Sequence, residues 1–339
     1  MSRVLLIAEA GVNHNGDYEM AKQLAVVAKE AGADIVKYQT AIPELVMSSS
    51  APKAEYQKVQ TGSGESQLEM ARKIHLPLEA YAGLKKYCEE EVGIQFLSTP
   101  FDHPSIDLLH NIGMEIFKIP SGEITNRPYL EKVGALEKEV ILSTGMSTLE
   151  EVKRAFNTLV DSGTPAHRIS VLHCTSDYPA PFEHLNLRAI ETLQRELNCR
   201  VGYSDHSVGL EASIAAVALG ATIVEKHFTL SHNLEGPDHK ASLEPEELKQ
   251  WVTSIRHTEQ ALGDGIKVPK GSEILNIPIG RRSVHAARDL YVGQFLTKTD
   301  LIMKRPGNGI SPYDLDKIIG KKLIAAVKAD EQISWDILE

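Results

Sequence analysis

The stretch CRVGYSDHSVGLEASIAAVALGATIVEKHF, residues 199–228, sets two short apolar runs on either side of a segment with helical spacing. CRVGYSD (199–205) predicts a buried strand, GLEASIAAVALG a packed helix, and TIVEKHF (222–228) a second strand. Strand, helix and strand in so short a span imply a right-handed crossover between parallel neighbours. The first strand ends in Ser204-Asp205-His206-Ser207. Taken alone, such a corner serves as a helix N-cap, since Ser and Asp accept hydrogen bonds from the first free amides. A chemical role needs partners at other strand ends.

The same rhythm fills the preceding chain. VLLIAEAG (4–11), DIVKYQT (34–40), IQFLSTP (94–100), EIFKIPSGE (115–123), EVILSTG (139–145) and ISVLHCTS (169–176) predict further strands, with stretches such as YEMAKQLAVVAKEAG and TLEEVKRAFNTLVDSG between them. Strands strictly alternating with helices predict an α/β fold, and eight units over residues 1–265 suit a closed (β/α)8 TIM barrel better than an open doubly wound sheet. No GxGxxG follows the first strand, so a dinucleotide-binding fold lacks its phosphate loop. The insert from 41 to 76 exceeds a simple βα loop, and such insertions tend to serve a site. After Gly265 the pattern stops: IKVPKGSEILNIPIG (266–280) reads as a linker, and 281–339 as a small, mainly β domain.

Composition narrows the function classes. The 339 residues are 42% hydrophobic and 24% charged, the balance of a globular chain with a sizeable core. Cys88, Cys174 and Cys199 are odd in number and lack a CxxC spacing, so neither a disulfide framework nor a zinc knuckle is expected, and a reducing cytoplasm is the natural compartment. The apolar run in MSRVLLIAEAGVNH is broken too early for a signal peptide or a membrane span. Of the net charge of −10, residues 280–339 carry +2 and the rest −12. An acidic body argues against nucleic acid as a partner, and opposite charges on body and tail favour their docking.

In a barrel of this kind chemistry gathers at the carboxyl ends of the strands. Here every end is polar: Glu9 with Asn13 and His14; Lys37 and Gln39; Ser98 and Thr99; Lys118, Ser121 and Glu123; Ser143 and Thr144; His173 through Tyr178; Ser204 to His206; Glu225 to His227. Lys37, Thr99, Lys118, Ser121, Ser143, Ser176 and Ser204 are the cations and hydroxyls that bind a small phosphorylated anion. The competing reading gives Lys37 or Lys118 an internal partner such as Glu9 or Glu123. His206 and His227 stand at equivalent places on neighbouring strands about 4.8 Å apart, close enough to share one ion and leave positions open for a carbonyl. Imidazole with oxygen ligands suits Mn2+ or another divalent ion, Zn2+ included.

Together these corners resemble the sialic acid synthase family, enzymes that condense phosphoenolpyruvate into nine-carbon 2-keto sugar acids. The segments that carry the resemblance are EAGVNHNGD (9–17), KYQT (37–40), STPFD (98–102), KIPSGE (118–123), STGM (143–146), HCTSDYPAP (173–181), GYSDHS (202–207), EKHFT (225–229), GPDH (236–239) and KRPGNG (304–309). The resemblance implies a (β/α)8 barrel followed by a small antifreeze-like (SAF) domain. It implies that His206 and His227 hold a divalent metal, usually Mn2+ with Mg2+ or Co2+ as substitutes, and that Lys37, Thr99, Lys118, Ser121, Ser143 and Ser204 surround phosphoenolpyruvate. Ser176 falls where some relatives carry Asn on the phosphate side. Glu9, Gln39, Tyr178 and Asp238 match positions facing the amino sugar or the reacting atoms, Glu9 being the candidate for placing a proton; Arg305 matches the residue with which the SAF domain touches substrate. A domain-swapped homodimer is implied, with each SAF domain over its partner's barrel.

The implied reaction joins phosphoenolpyruvate, N-acetylmannosamine and water into N-acetylneuraminate and phosphate. The alternative acceptor is a 6-deoxy di-N-acetylated hexose, which gives N,N'-diacetyllegionaminate; KAEYQ and ESQLEM in the insert argue a bacterial type without choosing between them. A metal-dependent aldolase or phosphate-ester hydrolase would use the same histidines and phosphate pocket but would not need KRPGNG. A binding module on an inert scaffold leaves eight furnished strand ends unexplained.

Overall fold

The computed structural model describes residues 3–54, 57–58 and 64–339, which form two compact units, Met1–Asp264 and Gly265–Glu339. In the first unit eight parallel strands follow one another: β1 Leu5–Gly11, β2 Ile35–Thr40, β3 Gln95–Pro100, β4 Ile116–Ile119, β5 Glu139–Ser143, β6 Ile169–Cys174, β7 Arg200–Asp205 and β8 Ile223–His227. Their order around the sheet is β3-β2-β1-β8-β7-β6-β5-β4, and the two end strands β3 and β4 pack side by side, so the sheet curls into a barrel. The strand β4 is shorter than the sequence suggests because Pro120 has no amide to give to a ladder, and Ser121–Glu123 turns into a 3-10 segment.

The pleat sorts side chains into two layers. Ile7, Ile35, Leu97, Ile116, Ile141, Leu172 and Ile223 lie two residues before Glu9, Lys37, Thr99, Lys118, Ser143, Cys174 and Glu225, on the same inward face. An aliphatic layer therefore sits beneath a polar one on seven strands. On β7 the lower position is Gly202. A Cβ there would lie 2.4 Å from the Ile223 carbonyl oxygen and 2.6 Å from Leu172 Cδ2, so the layer closes only because the side chain is absent.

Helices on the outside are set by local signals. Tyr18–Ala31 starts where Asp17 accepts from the Met20 amide and stops at Gly32 in the left-handed region, φ 88°; Leu149–Asp161 starts with a Thr148/Glu151 capping box. The corner after β7 is not a cap. The next helix begins only at Glu211, and its N-cap position, Leu210, makes no side-chain capping bond.

The insert contributes the helices Pro43–Val46 and Gln67–Ile74. Glu55 and Tyr56 of KAEYQ lie outside the described residues. In the segment read as a linker, Glu273–Gly280 is helical. Pro278 near its end forfeits a single i to i−4 bond, which a two-turn exposed helix tolerates, and the apolar positions show no period because none is buried. The second unit pairs β9 Ser283–Ala286 with β10 Leu301–Lys304, antiparallel, over a small core that includes Val284, Leu290, Leu296, Ile318, Leu323 and Ile333. No helix among the described residues is long and apolar enough to cross a membrane.

Gly202→Ala should destabilise the first unit by about 1–3 kcal/mol through overpacking against backbone. A shift in the urea unfolding midpoint checks it; an unchanged midpoint would show that β7 and β8 separate freely at this point.

Candidate active site

The polar layer is a network of buried charge. Lys37 Nζ stands 2.9 Å from Glu9 Oε2 and 3.4 Å from Glu225 Oε2, and it donates to Thr99 Oγ1 at 3.0 Å. Lys118 Nζ lies 3.7 Å from Glu225 Oε1 and donates to Ser143 Oγ at 2.6 Å. Ser204 Oγ donates to Glu225 at 2.9 Å, and the Gln39 amide to Glu9 Oε1 at 3.1 Å. The lysines are thus both internally paired and exposed to the cavity, so the two readings of them coincide, although Glu123 takes no part and instead accepts from Asn126.

Burial divides the two acids. It pushes the Glu9 carboxyl up, to about 7, against the pull of Lys37. Burial would raise Glu225 as well, but Lys118 and Lys37 together outweigh it and hold this carboxyl below its ordinary value. Burial likewise pulls Lys37 down, yet Glu225 and Glu9 overcome it and keep the ammonium charged; in Lys118 burial prevails and its value is lowered.

Above this layer, Ser121 Oγ accepts from the Gly145 amide at 2.9 Å and lies 3.3 Å from Cys174 Sγ. A Cβ on Gly145 would fall 2.1 Å from Ser176 Oγ and 2.9 Å from both Ser121 Oγ and Cys174 Sγ, so only glycine lets the backbone amide approach these hydroxyls. Amide, Ser121, Ser176 and the nearby Lys118 form a cradle with the donors a phosphate or carboxylate needs.

The imidazoles close the other side. His206 Nδ1 lies 2.7 Å from the Thr175 carbonyl and so carries the proton, which leaves the lone pair on Nε2, 3.3 Å from Ser204 Oγ. His227 Nδ1 is buried without a hydrogen-bond partner. The ring centroids are 5.6 Å apart, with Tyr178 4.2 Å from the first and 5.7 Å from the second. Burial lowers both histidines, His206 to about 4, so both are neutral at ordinary pH. Two neutral imidazoles, one with an orphaned nitrogen, could hold a divalent ion between them; no third His, Cys, Asp or Glu completes a ligand cluster among the described residues.

One cavity of about 480 Å³ is lined by Glu9, Lys37, Gln39, Thr99, Lys118, Ser121, Ser143, Ser176, Tyr178, Ser204, His206, His227 and Asp238. Burial raises the Asp238 carboxyl to about 6. Arg305 belongs to the second unit, where its Nε donates to the Gly280 carbonyl at 3.1 Å.

The profile of the NeuB family matches residues 24–267, most of the first unit and well over half the chain. The chain belongs to the NeuB family. A SAF domain profile matches residues 281–339. Among NeuB relatives, the N,N'-diacetyllegionaminic acid synthase of Campylobacter jejuni is 49% identical over 98% of this chain and 99% of its own length. That of Legionella pneumophila is 43% identical over 98% of this chain and 94% of its own. The crystal structure of an N-acetylneuraminic acid synthetase from Leptospira borgpetersenii, in complex with citrate, superposes with a TM-score of 0.70 at 34% identity, over 81% of this chain and 90% of that one. Like these synthases, the chain is an enzyme that forms a carbon–carbon bond, built as a (β/α)8 barrel with a SAF domain.

In this NeuB barrel Glu225 is a site residue that the sequence reading did not assign. It bridges both lysines and Ser204. Its position two residues before His227, on the same face of β8, was the available signal.

Removing Lys37 alone should leave buried carboxylate uncompensated: Lys37→Met should cost about 3–5 kcal/mol, and adding Glu9→Gln should recover a large part of it. Because Glu9 is displaced upward and attracts Lys37 only once ionised, its share of the single variant's deficit should appear as pH rises through about 7 and be small well below it. Urea midpoints across pH for the three proteins check this, and a double variant no more stable than the single would break the pairing.

Proposed function

We propose that this enzyme condenses phosphoenolpyruvate with a 6-deoxy di-N-acetylated hexose and water to give N,N'-diacetyllegionaminate and phosphate. The observation that carries this reading is the contrast between the cavity's floor and the rest of its lining. The floor bears Lys37 and Lys118 with a ring of hydroxyls; the rest of the wall mixes the apolar Val12, Met47, Met70, Ala71, Ile74 and Phe101 with the polar Gln57, Gln67 and His75. The two lysines are the only ammonium or guanidinium groups among the described lining residues. A phosphorylated acceptor would find no cation on the wall, whereas the acetyl and C6 methyl groups of a 6-deoxy di-N-acetylated sugar would be matched by its apolar residues. The sequence alone puts N-acetylmannosamine first; the wall and the similarity to two synthases of N,N'-diacetyllegionaminic acid support the other acceptor.

In this reading Lys37, Lys118, Thr99, Ser143 and Ser204 hold the enol phosphate with its C3 toward the sugar aldehyde. The Ser121, Ser176 and Gly145 cradle takes up negative charge as phosphate leaves by carbon–oxygen cleavage, after water has added at C2. Glu9, raised by burial, is poised to hold or release a proton near the new bond. Gln39, Tyr178 and Asp238 orient the sugar. His206 and His227 would hold a divalent ion, with Mn2+ the first choice, which when bound supplies Lewis acidity to a carbonyl oxygen.

Turnover, followed as phosphate release, should vanish on chelation, return with Mn2+, and run at least tenfold faster at limiting concentration with the 6-deoxy di-N-acetylated sugar than with N-acetylmannosamine. Equal rates would sink the choice of acceptor. Activity after exhaustive chelation would sink the metal.

The domain-swapped dimer belongs to the same proposal, supported by the resemblance of KRPGNG and by the opposite charges of the two parts of the chain. If Arg305 serves a partner's barrel, Arg305→Ala and His206→Ala chains, each inactive alone, should recover roughly a quarter of wild-type turnover after subunit exchange, since half the dimers hold one intact site. A mixture that exchanges but stays inactive would rule this out.

A further inference from the structure

On the outward face of the same two strands lies a second buried ion pair. Asp205 and Lys226 oppose each other in the β7–β8 register, with Nζ 3.0 Å from Oδ2 and side-chain exposures of 0% and 1%. Asp205 Oδ1 accepts from the Ser207 amide at 2.9 Å and from its hydroxyl at 2.6 Å, while Oδ2 accepts from Ser213 Oγ at 2.6 Å. Trp251 Nε1 donates to Ser213 Oγ at 2.9 Å, tying the pair to the helix Pro245–Leu262. Lys226 Nζ also donates to the Ser207 carbonyl at 2.7 Å.

Each partner is the chain neighbour of an imidazole: Asp205 precedes His206, and Lys226 precedes His227. The β7–β8 ladder ends at Asp205, so His206 stands one residue beyond the last paired position. Its backbone is held from both sides by this pair, with Asp205 behind it and Ser207 ahead, bonded to the lysine of the other strand. Replacing a buried ion pair by apolar side chains of similar volume is often neutral or stabilising, so packing by itself gives little reason for a desolvated pair here.

We propose that Asp205 and Lys226 are positioning residues, a clamp that sets the separation of His206 and His227 so that both reach one divalent ion. The proposal rests on the two-imidazole metal reading above. Lys226→Met should lower Mn2+ affinity, measured by calorimetry on the full-length protein, by 10–100-fold, the usual effect of removing an outer-shell support. Circular dichroism and a cooperative melt report folding independently. Bound Co2+ should give an altered visible spectrum in the variant, which a purely structural role would not change.

Asp205→Asn combined with Lys226→Met leaves no charge unpaired, and it should fold while showing the same loss of affinity. Folded variants that bind Mn2+ within twofold of wild type, with an unchanged Co2+ spectrum, would overturn the clamp. A wild-type protein that binds no divalent ion would overturn the metal reading itself, and the clamp with it.

Discussion

Lys37 and Lys118 stand against Glu9 and Glu225 inside the barrel mouth with almost no access to solvent, and burying four such groups is tolerable only because each ammonium meets a carboxylate. Hydroxyls of Thr99, Ser143 and Ser204 and the Gln39 amide complete the shell around them. The arrangement constrains the whole first unit. These eight side chains come from seven strands, Lys37 and Gln39 sharing β2, so the pairing requires the strands to close in one register, and a slip by one residue would turn every charge into the helix layer. An anion entering this network meets lysines that are already oriented, at the cost of competing with the carboxylates for them.

The neighbouring imidazoles depend on the same register by a different route. His227 stands on the strand that carries Glu225, and His206 one residue past the strand that carries Ser204. The inward faces of β7 and β8 therefore hold the acid bridge while the outward faces hold Asp205 and Lys226. Four consecutive polar positions, Ser204 to Ser207, are divided between two environments by the pleat.

That division explains what could be read from the chain alone. Strand and helix alternate with enough contrast for all eight strands to be placed within a few residues, because fully buried parallel strands are uninterrupted apolar runs. The thirteen barrel residues singled out for chemistry line one cavity because strand ends in a barrel point at one mouth. Glu225 was placed at a strand end but given no role, because its partners, Lys37 and Lys118, are far away in sequence. The helix Glu273–Gly280 escaped because it buries no face and so has no period to detect. The apolar lining of the cavity was equally illegible: Met47, Met70 and Ile74 sit in an insert whose length and KAEYQ and ESQLEM segments do not say which of its side chains face the site.

The aliphatic layer beneath the charges has a kinetic meaning. Ile7, Ile35, Leu97, Ile116, Ile141, Leu172 and Ile223, with Gly202 closing the gap, form the layer on which the charged side chains stand, so the lysines sit on an aliphatic base at the foot of the polar layer. A small anion seated on the lysines must pass the mouth before a larger molecule fills it, and whatever remains on the floor waits until the mouth is clear. On the proposed reaction, order of binding would then be a property of depth, set by where along each strand the side chains change from aliphatic to charged.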